Sequence, residues 1–107
     1  MWNLPTSEVL SDLPRLYQTE DIPLEDKMIH LHFFLGGCDW YIAEYDGKDT
    51  MFGFAILNGD TWNAEWGYVS LTELKEISIS GIEVDQDIYW RPKKAKDIEK
   101  IRECNRF

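Results

Sequence analysis

His30-Leu31-His32 sets two imidazoles at alternate positions of an apolar, β-preferring run. On an extended chain alternate side chains share one face, about 6.5–7 Å apart. Such a pair chelates a transition metal when a neighbouring strand adds a carboxylate, and Asp39, Glu44 and Glu65 are the candidates. A small metal-dependent hydrolase or nuclease built on His30 and His32 is therefore one reading. The structural alternative is a pair of half-buried histidines bonded to their sheet neighbours. Cys38 follows two glycines and precedes Asp39. A thiolate nucleophile needs a nearby base and a lowered pKa. His30 or His32 would supply the base if the flanking strands pair across Gly36-Gly37; otherwise Cys38 is a small apolar residue at a strand start.

Glu83, Asp85 and Asp87 alternate, so an extended segment lines its carboxylates along one edge at about 6.7 Å. That approaches the phosphate spacing of a nucleic-acid strand, and the row can imitate a backbone. It can also hold a hard cation, or guard a sheet edge against aggregation. Trp40, Trp62, Trp66, Tyr68, Tyr89 and Trp90 are more aromatic surface than one small core easily buries. Aromatics beside carboxylates suit a protein interface; the structural alternative is a sheet face packed by Trp40 and Trp66 with the helices over it. Trp62, between Thr61 and Asn63, is the one expected outside. No Gly-rich phosphate loop, Ser-His-Asp arrangement, zinc cysteine pattern or helical His-Glu pair is present. No catalytic residue, metal or cofactor is therefore assigned.

The net charge of −9 is uneven. Residues 1–70 hold twelve acids against Arg15, Lys27 and Lys48, whereas 71–107 hold eight acids and eight bases. A negative body repels phosphate backbones, which argues against direct nucleic-acid binding. It fits a solvated surface, or a charged face for a basic partner. The basic run Arg91 to Arg106 reads as a solubilising helix face or as counter-charge to the acidic body. With 107 residues a single domain, 1–107, is expected. No apolar run is long enough to span a bilayer and no charged-then-apolar leader opens the chain, so no membrane partner and a cytoplasmic location are expected. Cys38 and Cys104 then read as reduced thiols.

Antiparallel strands must position these groups. Thr6 to Leu13 predicts a short helix, capped by Thr6 or Ser7 and stopped by Pro14. Met28 to Leu35 predicts the first strand, with Ile29, Leu31 and Phe33 opposite His30, His32 and Phe34. Asp39 to Tyr45, Met51 to Leu57 and Glu65 to Val69 predict three more, joined by turns at Gly36-Gly37, Asp46 to Asp49 and Asn58 to Asp60. Gly53 and Ala55 leave one face shallow, suited to a closely packed helix. Ser70-Leu71-Thr72-Glu73 is a capping box ahead of a helix over Leu71 to Glu76. Ile77 to Val84 and Ile88 to Trp90 read as extended. A last helix runs from about Lys94 to Glu103, with Ala95, Ile98 and Ile101 as its apolar stripe. The fold class is α+β: an antiparallel four- to five-stranded meander with N- and C-terminal helices on one face.

Gly36-Gly37-Cys38-Asp39-Trp40-Tyr41-Ile42-Ala43-Glu44-Tyr45-Asp46, Phe52-Gly53-Phe54-Ala55-Ile56-Leu57-Asn58 and Ala64-Glu65-Trp66-Gly67-Tyr68-Val69-Ser70-Leu71 resemble a known family. It comprises short proteins of a domain of unknown function, encoded on plasmids and conjugative elements. The resemblance implies a mobile-DNA setting near anti-restriction and conjugation functions, and no active site. Together with the charge, it sets the functional expectation: a small acidic interaction protein that inhibits, or mimics nucleic acid toward, a restriction or CRISPR effector or a DNA-processing protein. Asp39, Glu44, Asp46, Asp49, Glu83, Asp85 and Asp87 would steer toward the basic partner surface and Trp62 would anchor. The alternative is the metal-dependent hydrolase; self-association as an accessory subunit is a third reading.

Overall fold

The computed structural model describes residues 1–107. Thr6 opens helix α1 (Ser7–Asp12): its Oγ1 accepts from the Val9 amide at 3.2 Å. Leu13 turns extended ahead of Pro14 and ends the helix. A single 3-10 turn, Leu24–Asp26, precedes β1 (Met28–Ile29) and β2 (Leu31–Leu35). Then come β3 (Cys38–Tyr45), β4 (Thr50–Ile56) and β5 (Glu65–Ser70), followed by α2 (Leu71–Glu76). Beyond it lie β6 (Ser78–Ile79), β7 (Ile82–Glu83), β8 (Asp85–Gln86) and β9 (Lys93–Lys94). A 3-10 turn, Ala95–Asp97, and helix α3 (Glu99–Cys104) complete the order.

The main sheet is antiparallel, with five strands in the order β5-β4-β3-β2-β8. The α+β meander is thus as expected, but its helices take opposite faces rather than one. Alternation explains this, because β3 is buried on both sides. Leu31, Phe33, Trp40, Ile42 and Met51 face one core, closed by Leu13, Leu71, Leu74 and Val84. Tyr41, Ala43, Phe54 and Ile56 face a second core, closed by Ala95, Ile98, Ile101 and Cys104. The apolar stripe read near the C-terminus does cover the sheet. The continuous helix from Lys94 breaks, however, because Ile98 is extended between the 3-10 turn and α3.

Two irregularities re-aim side chains. The β3–β4 register shifts between Ile42 and Glu44. A bulge adds one residue on one strand, so the faces beyond it exchange. Tyr45 therefore joins Trp40 and Ile42, not Tyr41 and Ala43. Gly53 lies opposite, where an added Cβ would stand 2.0 Å from the Tyr41 carbonyl oxygen. The expected strand Met28 to Leu35 is interrupted at His30, and Ile29 enters the second core while Leu31 enters the first. Ile88 to Trp90 is a turn rather than extended: the Trp90 amide donates to the Asp87 carbonyl at 3.1 Å. No helix covers Gly53 and Ala55. A depression of about 210 Å³ lies there, lined by Trp40, Leu57 and Val69.

Candidate functional site

The densest ionisable cluster is on the second face of β2 and β3. The His32–Tyr41 and Phe34–Asp39 cross-strand pairs bring three of its side chains, His32, Tyr41 and Asp39, to one side together with Phe34. His32 Nε2 lies 2.7 Å from Asp39 Oδ1, and Nδ1 lies 3.4 Å from Asp87 Oδ2. Lys100 Nζ, on α3, donates to Asp39 Oδ2 at 2.9 Å. The His32 ring stacks on Tyr41 at 4.6 Å, and Trp90 tilts against it at 5.2 Å. Burial raises the Asp39 carboxyl pKa, but hydrogen bonds from His32 and Lys100 and their charges outweigh it, and the net shift is downward. Burial, then the Asp39 charge, pushes the Tyr41 phenol far above its ordinary value.

This arrangement ties strands to the C-terminal segment. Both ring nitrogens of His32 face carboxylates, Asp39 and Asp87, so the ring is held by its neighbours on two sides. His30 makes none of these contacts: it lines an adjoining depression with Val9, Asp12, Asp87 and Trp90. Burial lowers its pKa, with Asp12 opposing. The shared face expected for His30 and His32 is lost at the strand interruption. No group of three or more His, Cys, Asp or Glu is placed to hold a metal ion. Cys38 sits by Asn58, whose amide donates to the sulfur at 3.3 Å, and no imidazole faces it. Cys38 and Cys104 are both free thiols, and burial raises the pKa of Cys104.

The acids expected to steer are mostly engaged inside the molecule. Asp39 and Glu44 are each 4% exposed, so the expectation that they face a partner is corrected. Glu44 accepts from the Tyr17 and Thr19 amides at 3.0 and 3.1 Å and from the Thr19 hydroxyl. The same hydroxyl accepts from Lys27 Nζ at 2.8 Å, which links the buried ammonium to the carboxylate. Asp46 accepts from the Lys48, Asp49 and Thr50 amides, and these bonds lower its pKa. Asp49 accepts from Ser70 and Thr72, which lower its pKa, and so extends the cap of α2.

Nor does the row Glu83, Asp85, Asp87 form a free edge. Glu83 pairs with the Met1 ammonium, Asp85 accepts from the Asn3 amide at 2.7 Å, and Asp87 faces His32. Trp62 is 84% exposed, as expected from its polar neighbours. Asp60 holds that loop by accepting from the Trp62 and Asn63 amides. Tyr17 reads from the sequence as an anchor of the segment after α1, not as an exposed aromatic; its loop, with a positive φ of 71° at Tyr17, instead leaves it 63% exposed and close to Tyr68. No helix is long and apolar enough to cross a membrane.

A family model described as "Protein of unknown function (DUF2958)" matches residues 12–98. The comparisons with curated proteins and with solved structures gave no match.

Proposed function

Since the chain belongs to the DUF2958 family of proteins of unknown function, we propose on physical grounds that it is a non-enzymatic interaction protein whose acidic, aromatic exterior docks onto a cationic protein surface. One observation carries the reading. A chain of net charge −9 leaves Tyr17, Trp62, Tyr68 and Tyr89 each more than half exposed. Long-range charge steers encounter, and aromatic anchors supply contact energy. The steering acids are exposed ones such as Glu20, Asp21 and Glu25, with the half-exposed Asp46 contributing to the same negative field. Mimicry of a phosphate row by Glu83, Asp85 and Asp87 has less support, because each already has a partner.

In the mobile-element setting that the resemblance implies, the partner is a restriction or CRISPR effector or a DNA-processing protein. Its nucleic-acid channel offers the required positive surface, and occupancy inhibits it. The test is capture of host proteins on the immobilised full chain across a salt series. A nucleic-acid-binding protein should be retained at low ionic strength, then released by salt and by competing duplex DNA. Retention of no such protein at low salt removes the reading.

A further inference from the structure

We infer that the cleft between Tyr17 and Tyr68 accepts an arginine side chain of the basic partner, an assignment that rests on the docking role proposed above. The cleft is a depression of about 180 Å³ lined by Tyr17, Glu20, Lys27, Glu44, Phe52 and Tyr68. It lies on the second face of the sheet, where residues 15–27 flank β4 and the edge strand β5. The bulge in β3 brings Glu44 to this face, opposite Phe52.

Three features give it a chemistry. First, it has aromatic walls. Phe52 and Tyr68 lie 5.4 Å apart, and Phe52 stacks on Trp66 at 5.9 Å. Tyr17 and Tyr68 are 63% and 58% exposed, so their outer surfaces are open to a ligand. Second, its charge is negative. Glu20 at the rim and Glu44 at the base outnumber the ammonium of Lys27. Third, it already holds a cation against a ring: Lys27 Nζ is 6.0 Å from the Phe52 centroid. Lys27 is 5% exposed and its ammonium donates to Thr19, so it occupies the inner side, while Tyr17 and Tyr68, whose side chains meet, form the exposed side.

An anion is disfavoured, because Glu20 and Glu44 would repel it and the ammonium of the buried Lys27 already donates to Thr19. An apolar group would leave the rim carboxylate without a partner. A planar guanidinium fits best: it stacks on tyrosine rings and offers a fork of N–H donors to Glu20. Lysine presents a compact, strongly hydrated charge and should bind less well.

The probes are a short arginine-glycine peptide and its lysine-glycine counterpart, titrated into the full chain at low salt and followed by NMR. The arginine peptide should move the Tyr17 and Tyr68 ring resonances and bind more tightly than the lysine peptide. Tyr68→Leu should weaken it about two- to fivefold, the loss of one exposed cation–π contact. Glu20→Gln should weaken it and flatten its salt dependence, whereas Glu76→Gln, the same charge change on α2, should not. Circular dichroism verifies that each variant is folded. Arginine-peptide binding that leaves Tyr17 and Tyr68 unmoved, or that survives Tyr68→Leu and Glu20→Gln unchanged, overturns the cleft assignment while the docking role stands. No binding of either peptide at low salt overturns the cleft, whereas the docking role is judged separately by the capture experiment.

Discussion

Asp39 shows how a residue's type suggests a role that its surroundings reassign. As one acid of an acidic chain it reads as a surface charge, yet it is buried against His32 and Lys100. Replacing it by Ala leaves the shielded His32 ring without its 2.7 Å partner, whereas the exposed Lys100 ammonium turns to water, and the expected loss is about 1–3 kcal/mol in urea unfolding. Its folded pKa lies below the unfolded value of about 3.9. Its stabilisation is therefore full above that value and declines as pH falls through the folded pKa, so Asp39→Asn should flatten the acid limb of stability against pH. His30 has the same sign of proton linkage from a different cause, and in a higher pH range. Burial lowers its folded pKa, so below about pH 6.5 the unfolded chain binds the extra proton and stability falls. His30→Gln should remove that decline in melting temperature. Neither site was legible in the sequence, because cross-strand register and the break at His30 decide which groups meet.

Among the elements, local signals were read best. Thr6, Pro14 and Ser70 mark their helix ends by chemistry contained within a few residues, and the structure uses all three. The capping box is completed differently: the Glu73 amide donates to Ser70 Oγ at 3.1 Å, while Asp49 from the preceding turn binds Ser70 and Thr72. Sequence alternation failed where β3 bulges, since an extra residue reverses every face beyond it. Gly53 was the available clue. It was read as a shallow packing face, but it is required by the close Tyr41 carbonyl. Gly53→Ala should therefore cost about 3 kcal/mol or prevent folding. Its cross-strand neighbour Gly67 has nothing within 4 Å of an added Cβ and no positive φ. Gly67→Ala should stay within about 0.5 kcal/mol of the parent in the same unfolding assay.

At the scale of the molecule, the two cores give the C-terminal segment a larger role than its charged composition suggests. Ile101 is fully buried and Cys104 nearly so against the second face. Both lie beyond the family match at 12–98. A fragment limited to 12–98 should expose Tyr41 and Phe54, bind a hydrophobic dye and melt well below the full chain. The basic run is likewise structural in part: Lys96 pairs with Asp26 at 3.0 Å and Lys100 with Asp39. Composition showed the imbalance of charge but not its internal pairing, which depends on contacts between distant parts of the chain. The double burial of β3 has a consequence for the order in which the protein opens. Amides of 40–43 can meet solvent only when both apolar layers part, whereas β5 has an unpaired outer flank. In deuterium exchange the central strand should label last, at the rate of global unfolding, and β5 should label first among the long strands.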